Sequence, residues 1–160
     1  MGTFFQLSIE CGGEESLARS VGNHYEDYSF EITETLKSIC SCRIITDADQ
    51  NWWAIVSPSG LSASGISTNE DARYMTIAGR HLYARLLSSP PFRYAIAGVE
   101  TEEFRSFSEL KDTDANLYPR LHGLVLAREI WESVGCPSGF VEFRDRYLWL
   151  PYMGEAPPSR

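Results

Sequence analysis

Two stretches of the sequence alternate apolar and polar residues on either side of a short polar turn, as β-hairpins do. In the first, segments 38–46 and 51–57 flank the turn residues 47–50. Closing a four-residue loop there predicts a register that puts apolar residues opposite one another. The pairs are Ile44 with Trp53 and Cys42 with Ile55.

The second hairpin lies near the end of the chain, with its turn at Asp145-Arg146. Its predicted register again gives a coherent apolar face, made by the pairs Phe143 with Leu148 and Val141 with Leu150. Strands joined by such tight turns run antiparallel, so a purely parallel sheet is excluded.

The remaining periodicity predicts three helices and further strands. Segment 3–10 alternates as a half-buried strand, and 28–39 fits either a strand or a helix, with its β-branched residues favouring strand. The other predicted elements are helix 14–21, helix 69–87 capped by Thr68 or Asn69, strand 92–99, and helix 119–134 ended by Gly135.

We therefore expect an α+β fold: a largely antiparallel sheet with two hairpins and about three helices packed on one face. The 160 residues predict one domain over 1–152, followed by a frayed Pro-rich tail at 153–160.

The charge of the chain narrows the class of partner. The net charge is −8, and residues 1–60 carry nine acidic against three basic side chains. Such a surface repels nucleic acid and anionic lipid and attracts a basic protein, although net charge also serves simply to keep a small protein soluble. We expect a protein partner of basic character, no nucleic acid and no membrane.

Targeting and cofactor signals are weak throughout. No basic leader precedes the first strand, no apolar run reaches the length of a membrane span, and there are four cysteines, which together predict a cytoplasmic protein. Asp47-x-Asp49-x-Asn51 begins like a calcium loop but has Trp52 and Pro58 where glycine and an acid are required. Cys40-x-Cys42 lacks a second pair of zinc ligands. We expect no metal and no cofactor.

The first functional hypothesis is a protein-binding module, in the manner of small acidic bacterial inhibitors and immunity proteins, which share its size and charge. Strand parity places large aromatic and charged residues opposite the predicted apolar faces, a composition typical of interface hot spots. The predicted partner-binding residues are Trp52, Glu142, Arg144, Tyr147 and Trp149, and the acids predicted to steer the encounter are Glu14, Glu15, Glu26 and Asp27. If a further layer covers that face, these aromatics are core instead, and self-association into a homo-oligomer is a third reading.

The alternative hypothesis is a small-ligand-binding protein or enzyme with a pocket between helix 69–87 and the sheet. Arg80, His81 and Arg85 could line such a pocket and hold an anionic molecule. The same three residues would otherwise form a solvated helix face. No catalytic constellation accompanies them, so enzymatic activity is the less favoured reading.

Overall fold

The computed structural model describes residues 2–158, which form eight strands, four α-helices and two 3₁₀-helices. The strands are β1 Phe5–Glu10, β2 Ser29–Glu31, β3 Lys37–Thr46, β4 Trp52–Pro58, β5 Tyr94–Val99, β6 Val125–Ala127, β7 Val141–Arg144 and β8 Tyr147–Trp149. The helices are α1 Glu15–Tyr25, α2 Asn69–Leu86, α3 Phe107–Lys111 and α4 Arg128–Ser133, with 3₁₀-helices at Thr101–Glu103 and Ala115–Arg120. No helix in this range has the length and apolar character needed to cross a bilayer.

The eight strands form one antiparallel sheet in the order β2-β3-β4-β1-β5-β6-β8-β7. The predicted α+β class with a largely antiparallel sheet is confirmed. β1 lies in the interior of the sheet, and β2 and β7 are its two edges.

Helices cover both faces of the sheet, so the prediction that they pack on one face is wrong. On one face, Leu7 and Ile9 of β1 join a core that includes Val21 of α1 and Met75 of α2. On the other face, a second core is formed by residues of the sheet and of the shorter helices: Trp53, Ile55, Tyr94, Ile96, Leu110, Tyr118, Leu124, Leu126 and Ile130. Helix α3 and the 3₁₀-helices were missed because segments of three to six residues carry too little periodicity to be recognised.

Helix α2 confirms the strongest helix prediction. Thr68 Oγ1 accepts a hydrogen bond from the Asp71 amide at 3.0 Å, and Asp71 Oδ2 accepts one from the Thr68 amide at 3.1 Å. This reciprocal capping box satisfies two amides at the helix start. The helix ends at Leu86, before the Ser-Ser-Pro-Pro stretch.

The predicted helix 119–134 is wrong, since only Arg128–Ser133 of it is an α-helix. Gly123 adopts a φ of 88°, which breaks any helix at that point, and β6 begins two residues later. Val125 pairs with both Ala95 and Trp149, so this apolar run is a strand buried between β5 and β8. A short continuous apolar run does not by itself distinguish a buried strand from a helix.

Both hairpins exist, but the register differs from the predicted one by one residue along the whole of the first hairpin and, in the second, beyond the pair Arg144–Tyr147. In the first, Ile45 rather than Ile44 lies opposite Trp53, because the loop has five residues instead of four. The Asp47 carboxylate accepts hydrogen bonds from the Asp49 and Asn51 amides, and Gln50 takes a left-handed φ of 62°. The extra loop residue places Ile44 and Cys42 on the opposite face of the sheet from Trp53 and Ile55.

In the second hairpin the turn lies at Asp145-Arg146 as predicted, but the register shifts between Glu142 and Arg144. Leu148 therefore pairs with Glu142 rather than with Phe143. This β-bulge turns the bulged strand locally. It brings Phe143 to the same side as Trp149, facing α2.

The structure also describes segment 28–39 and most of the predicted tail. Ser29–Glu31 is a strand, in agreement with the weaker preference for 28–39. Within the predicted tail, the Glu155 amide donates to Thr76 Oγ1 of α2 at 2.8 Å, so the chain lies against the helix as far as that residue. Ser159, Arg160 and Met1 lie outside the described residues.

An ion pair joins the middle of the sheet to the second helical layer. Glu10 of β1 has no exposed surface, and its carboxylate accepts hydrogen bonds from the Arg93 side chain and, at 2.8 Å, from the Gly12 amide. Burial raises the pKa of Glu10, although Arg93 and Gly12 act in the opposite direction. The Arg93 guanidinium also lies over the ring of Phe107 in α3, 4.4 Å from its centroid. The same cation therefore compensates a buried charge and holds α3 against the sheet.

We predict that Arg93→Leu lowers the free energy of unfolding by about 3–5 kcal/mol at pH 7, because Glu10 is left as an unpaired buried charge. Without Arg93, the folded-state pKa of Glu10 lies further above its unfolded value. Stability of the variant is then higher at acidic pH and falls as pH rises through that raised pKa. Urea unfolding followed by tryptophan fluorescence at pH 5 and pH 7 measures both effects.

Arg19→Leu is the matched control, because Arg19 pairs with Glu15 on the exposed surface of α1. A surface pair of this kind contributes about 0.3–0.5 kcal/mol. Equal losses for the two variants would contradict a structural role for the Glu10–Arg93 pair.

Candidate functional site

A groove of about 330 Å³ lies between α2 and the β7–β8 hairpin. Its lining comes from the exposed flank of α2, from both strands of the hairpin and from the segment that follows β8. The lining residues are Arg80, Tyr83, Ala84, Leu87, Glu142, Phe143, Trp149 and Tyr152.

Four aromatic rings form the walls of this groove. The Trp149 ring lies 5.3 Å from the Tyr83 ring and 4.9 Å from the Phe143 ring, centroid to centroid. Tyr83 in turn lies 4.9 Å from Tyr152. All three pairs are tilted, in the range of favourable aromatic contacts. The groove is thus an apolar slot with rigid walls, suited to another aromatic or aliphatic group.

The two tyrosines of the groove are fixed by hydrogen bonds. Tyr83 Oη donates to the Gly123 carbonyl at 2.7 Å and accepts from the Ala97 amide at 2.9 Å. Tyr152 Oη donates to Glu155 Oε2 at 2.7 Å. Burial raises the pKa of both phenols, so both stay protonated at neutral pH and neither acts as a base. Their arrangement favours binding over catalysis.

A glycine in α2 makes room for Tyr152. A Cβ atom on Gly79 would lie 2.5 Å from Tyr152 Oη and 2.7 Å from its Cζ. A glycine within a helix costs about 1 kcal/mol relative to alanine. Here it lets the Tyr152 ring pack on the helix and close one end of the groove.

The rim of the groove carries both signs of charge and an exposed apolar side chain. Arg80 and Glu142 are exposed on opposite sides, and Leu87 is 50% exposed. Within residues 2–158 the ion pairs are Arg19–Glu15, Arg43–Glu102 and Arg93–Glu10. Arg80 and Glu142 take part in none of these.

The groove borders an open edge of the sheet. β7 is the last strand and pairs with β8 on one side only. Val141 on this strand is 51% exposed. An edge strand presents backbone amides and carbonyls on which a further strand can pair.

The structure divides the predicted partner-binding residues into three groups. Glu142 and Trp149 line the groove. Tyr147 is 7% exposed, and its hydroxyl is hydrogen-bonded to both the amide and the carbonyl of Phe92. Arg144 donates to the carbonyls of Leu86, the last residue of α2, and of Ser89, both at 2.9 Å. Tyr147 and Arg144 therefore anchor the hairpin to the rest of the protein.

Trp52, the remaining member of that set, lies elsewhere. It is half-buried on β4, and its amide donates to the Gly12 carbonyl. Three strands separate β4 from β8 in the sheet, which corresponds to about 19 Å. Trp52 does not belong to the groove.

The three residues predicted to line the alternative ligand pocket do not lie together. Arg80 lines the groove, whereas His81 stacks on Phe30 with a centroid distance of 4.5 Å. Arg85 donates to the His24 carbonyl and lies over the Tyr28 ring. Residues adjacent in a helix point about 100° apart, which accounts for the separation of Arg80 from His81.

The acids predicted to steer a partner lie at the start of α1 and just after its end, on the β2 side of the sheet. Glu15 is paired with Arg19, and Glu26 accepts a hydrogen bond from the Cys42 amide at 3.2 Å. Glu14, Glu26 and Asp27 are exposed. They lie toward the sheet edge opposite to β7.

Sequence reasoning missed Tyr83, Leu87, Phe143 and Tyr152. A signal was available in α2, since Tyr83 and Leu87 are four residues apart and share a face beside the main apolar stripe. Phe143 could not be assigned, because the bulge that reorients it has no recognisable pattern. Tyr152 is the last residue of the predicted domain 1–152, and no predicted element included it.

No group of three or more His, Cys, Asp or Glu side chains able to hold a metal occurs within the part of the chain that the structure describes. Burial raises the pKa of Cys40 to about 12 and that of Cys42 to about 11, so both thiols are protonated at neutral pH. Comparison of the chain with protein-family models, with curated proteins and with solved structures found no match.

We predict that Gly79→Ala destabilises the protein by about 1–3 kcal/mol, because the new methyl group displaces the Tyr152 ring. In a Tyr152→Ala background the same change should instead stabilise the fold, by up to about 1 kcal/mol, through helix propensity. Urea unfolding of the two single variants and the double variant gives the coupling energy directly. Additive effects would show that Tyr152 does not pack on Gly79.

Proposed function

We propose that this protein is a protein-binding module that holds an extended segment of a partner against β7 and in the adjacent groove. The observation that carries the proposal is the position of an apolar aromatic slot directly beside an unpaired edge strand. Glu142 and Phe143 belong to both features at once.

Strand addition supplies affinity through the backbone and specificity through a pocket for alternate side chains. A segment paired with β7 would project every second side chain toward α2. One such side chain would reach the groove between Tyr83 and Trp149. The bulge between Glu142 and Arg144 limits the pairing to a short stretch.

The groove itself favours an aromatic or branched aliphatic anchor. An anchor in the groove would remove the apolar walls and the exposed Leu87 from water, which stabilises the complex. Anchors of this kind dominate the binding free energy of interfaces. Arg80 and Glu142 on the rim favour opposite charges on either side of the anchor. The rim therefore selects orientation and the slot supplies binding energy.

The charge of the protein supports a basic partner. A net charge of −8 speeds encounter with a positively charged protein, chiefly at low salt. The exposed acids Glu26, Asp27, Glu31 and Glu34 lie near the β2 edge, away from the groove, and would act on approach rather than in the bound anchor. If the bound segment belongs to the active site or functional surface of the partner, binding would block that surface. This would be an inhibitor or immunity-type role.

Site-specific photocrosslinking tests this proposal. We expect Leu87→p-benzoylphenylalanine to crosslink one partner in a lysate of the source cells, more strongly at low than at high salt. Adding excess unlabelled protein should abolish the band, and adding excess Leu87→Glu should leave it. A charge in the slot removes the burial of the anchor, so we expect about tenfold or greater loss of affinity.

The control places the same crosslinker at Leu117, an exposed leucine on the 3₁₀-helix Ala115–Arg120 over the other face of the sheet. The same band from both positions, or a band that Leu87→Glu competes equally well, would show that the groove is not the docking site. A crosslinked dimer of the protein, together with a dimer by light scattering, would make the groove a self-contact instead.

A second candidate function is the binding of a small amphiphilic ligand in the groove. Its volume of about 330 Å³ and its mainly aromatic lining fit that class. Small aromatic acids that raise the melting temperature of the wild type, but not of Arg80→Glu, would favour this reading over the protein partner.

A further inference from the structure

Four of the fourteen basic residues of the chain line one pocket at the turn of the β7–β8 hairpin. They are Arg93, Arg128, Arg144 and Arg146. The pocket has a volume of about 510 Å³ and lies between this turn, the segment before β5 and the start of α4. Small-molecule sites in proteins have volumes of about 300–1,000 Å³. In a protein of net charge −8, such a concentration of arginine in one pocket favours a site for an anion.

Arg128 and Arg146 are neighbours across two strands. Ala127 of β6 pairs with Tyr147 of β8, and the Arg128 amide donates to the Arg146 carbonyl at 2.8 Å, which continues the ladder by one pair. Both arginines are exposed, and both line the pocket. Like charges directly opposite each other destabilise an antiparallel pair. An anion bound between the two side chains would remove that cost.

Arg128 and Arg146 have no acidic partner among residues 2–158, where the ion pairs are those of Arg19, Arg43 and Arg93. Arg93 is paired with Glu10, so its charge is already compensated. A guanidinium forms bidentate hydrogen bonds with the oxygens of a carboxylate or a phosphate. Arg128 and Arg146 therefore provide two uncompensated cations of this kind at one pocket.

Arg144 adds a third cation, which the protein holds in place. Its Nη1 donates to the carbonyls of Leu86 and Ser89 at 2.9 Å, and its guanidinium lies 4.4 Å from the centroid of the Tyr147 ring. Tyr147 also lines the pocket. A side chain that is already fixed loses little conformational entropy when a ligand binds, and its charge attracts an anion even without a direct contact.

The charges of the pocket favour a single phosphate group. A carboxylate has two oxygens and one negative charge, which one guanidinium can match. A phosphate monoester has three terminal oxygens and a charge of about −1.5 to −2 at pH 7, which suits several guanidiniums. The lining also includes the exposed acids Glu129, Glu132 and Asp145. These acids and the net charge of −8 repel a long polyanion such as nucleic acid, so a small molecule is the favoured ligand.

We propose that this pocket binds the phosphate group of a small phosphate monoester. The guanidiniums of Arg128 and Arg146 donate to the phosphate oxygens, and Arg144 contributes its charge. The exposed Pro91 offers apolar surface to the organic part of the ligand. The pocket shares no lining residue with the aromatic groove, so this binding is independent of the partner proposed there.

Protein-observed NMR with phenyl phosphate as the probe, at about 0.1 M salt, tests the proposal. Phenyl sulfate is the matched control, because it has the same tetrahedral shape and only one negative charge, and benzoate represents the carboxylates. We expect phenyl phosphate to give saturable shifts of the backbone amides of residues 127–132 and 144–147. Both other anions should bind about fivefold more weakly or not at all. No saturable shift in these segments, or equal or tighter binding of phenyl sulfate or benzoate, would overturn the proposal.

Arg128→Gln and Arg146→Gln separate a binding role from a structural one. Each variant removes one guanidinium, so phenyl phosphate should bind about tenfold more weakly. Each also removes the contact between like charges, so the free protein should melt at the same or a higher temperature. Unchanged phosphate binding, or a lower melting temperature in both variants, would contradict the proposal and leave the two arginines with a structural role or none.

Arg120→Gln is the matched control for the loss of one positive charge. Arg120 is exposed, takes part in none of the ion pairs of residues 2–158 and lies outside the pocket. Exposed charges separated by more than about 10 Å are largely screened at 0.1 M salt, so this variant should bind phenyl phosphate as the wild type does. Equal losses for Arg120→Gln and Arg128→Gln would reduce the effect to the overall charge of the protein and remove the site.

Discussion

The burial of the Glu10 carboxylate is the constraint on which the rest of the architecture depends. Because helices cover both faces of the sheet, β1 has no side open to water, and a charge on it requires a cation inside the protein. Arg93, which directly precedes the neighbouring strand β5, provides that cation and packs on Phe107, which fixes the second helical layer at this point.

The sequence predicted those parts of the fold that depend on local chemistry. The Thr68–Asp71 capping box and the regular apolar spacing made α2 recognisable, and the alternation of β1 was correct. The hairpin registers failed because the first depends on a left-handed residue that is not glycine, Gln50, and the second on the β-bulge between Glu142 and Arg144. The second helical layer consists of short segments held by contacts distant in sequence, and no local pattern encodes such contacts.

The candidate site could be predicted only in part for the same reason. Trp149, Glu142 and Arg80 were named from composition and parity, but they were assigned to two different hypotheses, and the structure places them in one groove. Tyr147 and Arg144 have the composition of an interface but serve as internal anchors, since their polar groups are already bonded to backbone. Composition indicates which side chains are able to bind; only packing decides which of them are free to do so.

Hydrogen–deuterium exchange of the protein, free and with its crosslink-identified partner, tests whether a partner segment extends the sheet at β7 and fills the groove beside it. The backbone amides of Val141–Arg144 that point away from β8 should then exchange rapidly in the free protein and become protected on binding, together with the groove flank of α2. Protection confined to the opposite edge, at Ser29–Glu31 and the acids around it, would contradict strand addition at β7 and move the docking surface to the acidic side of the molecule.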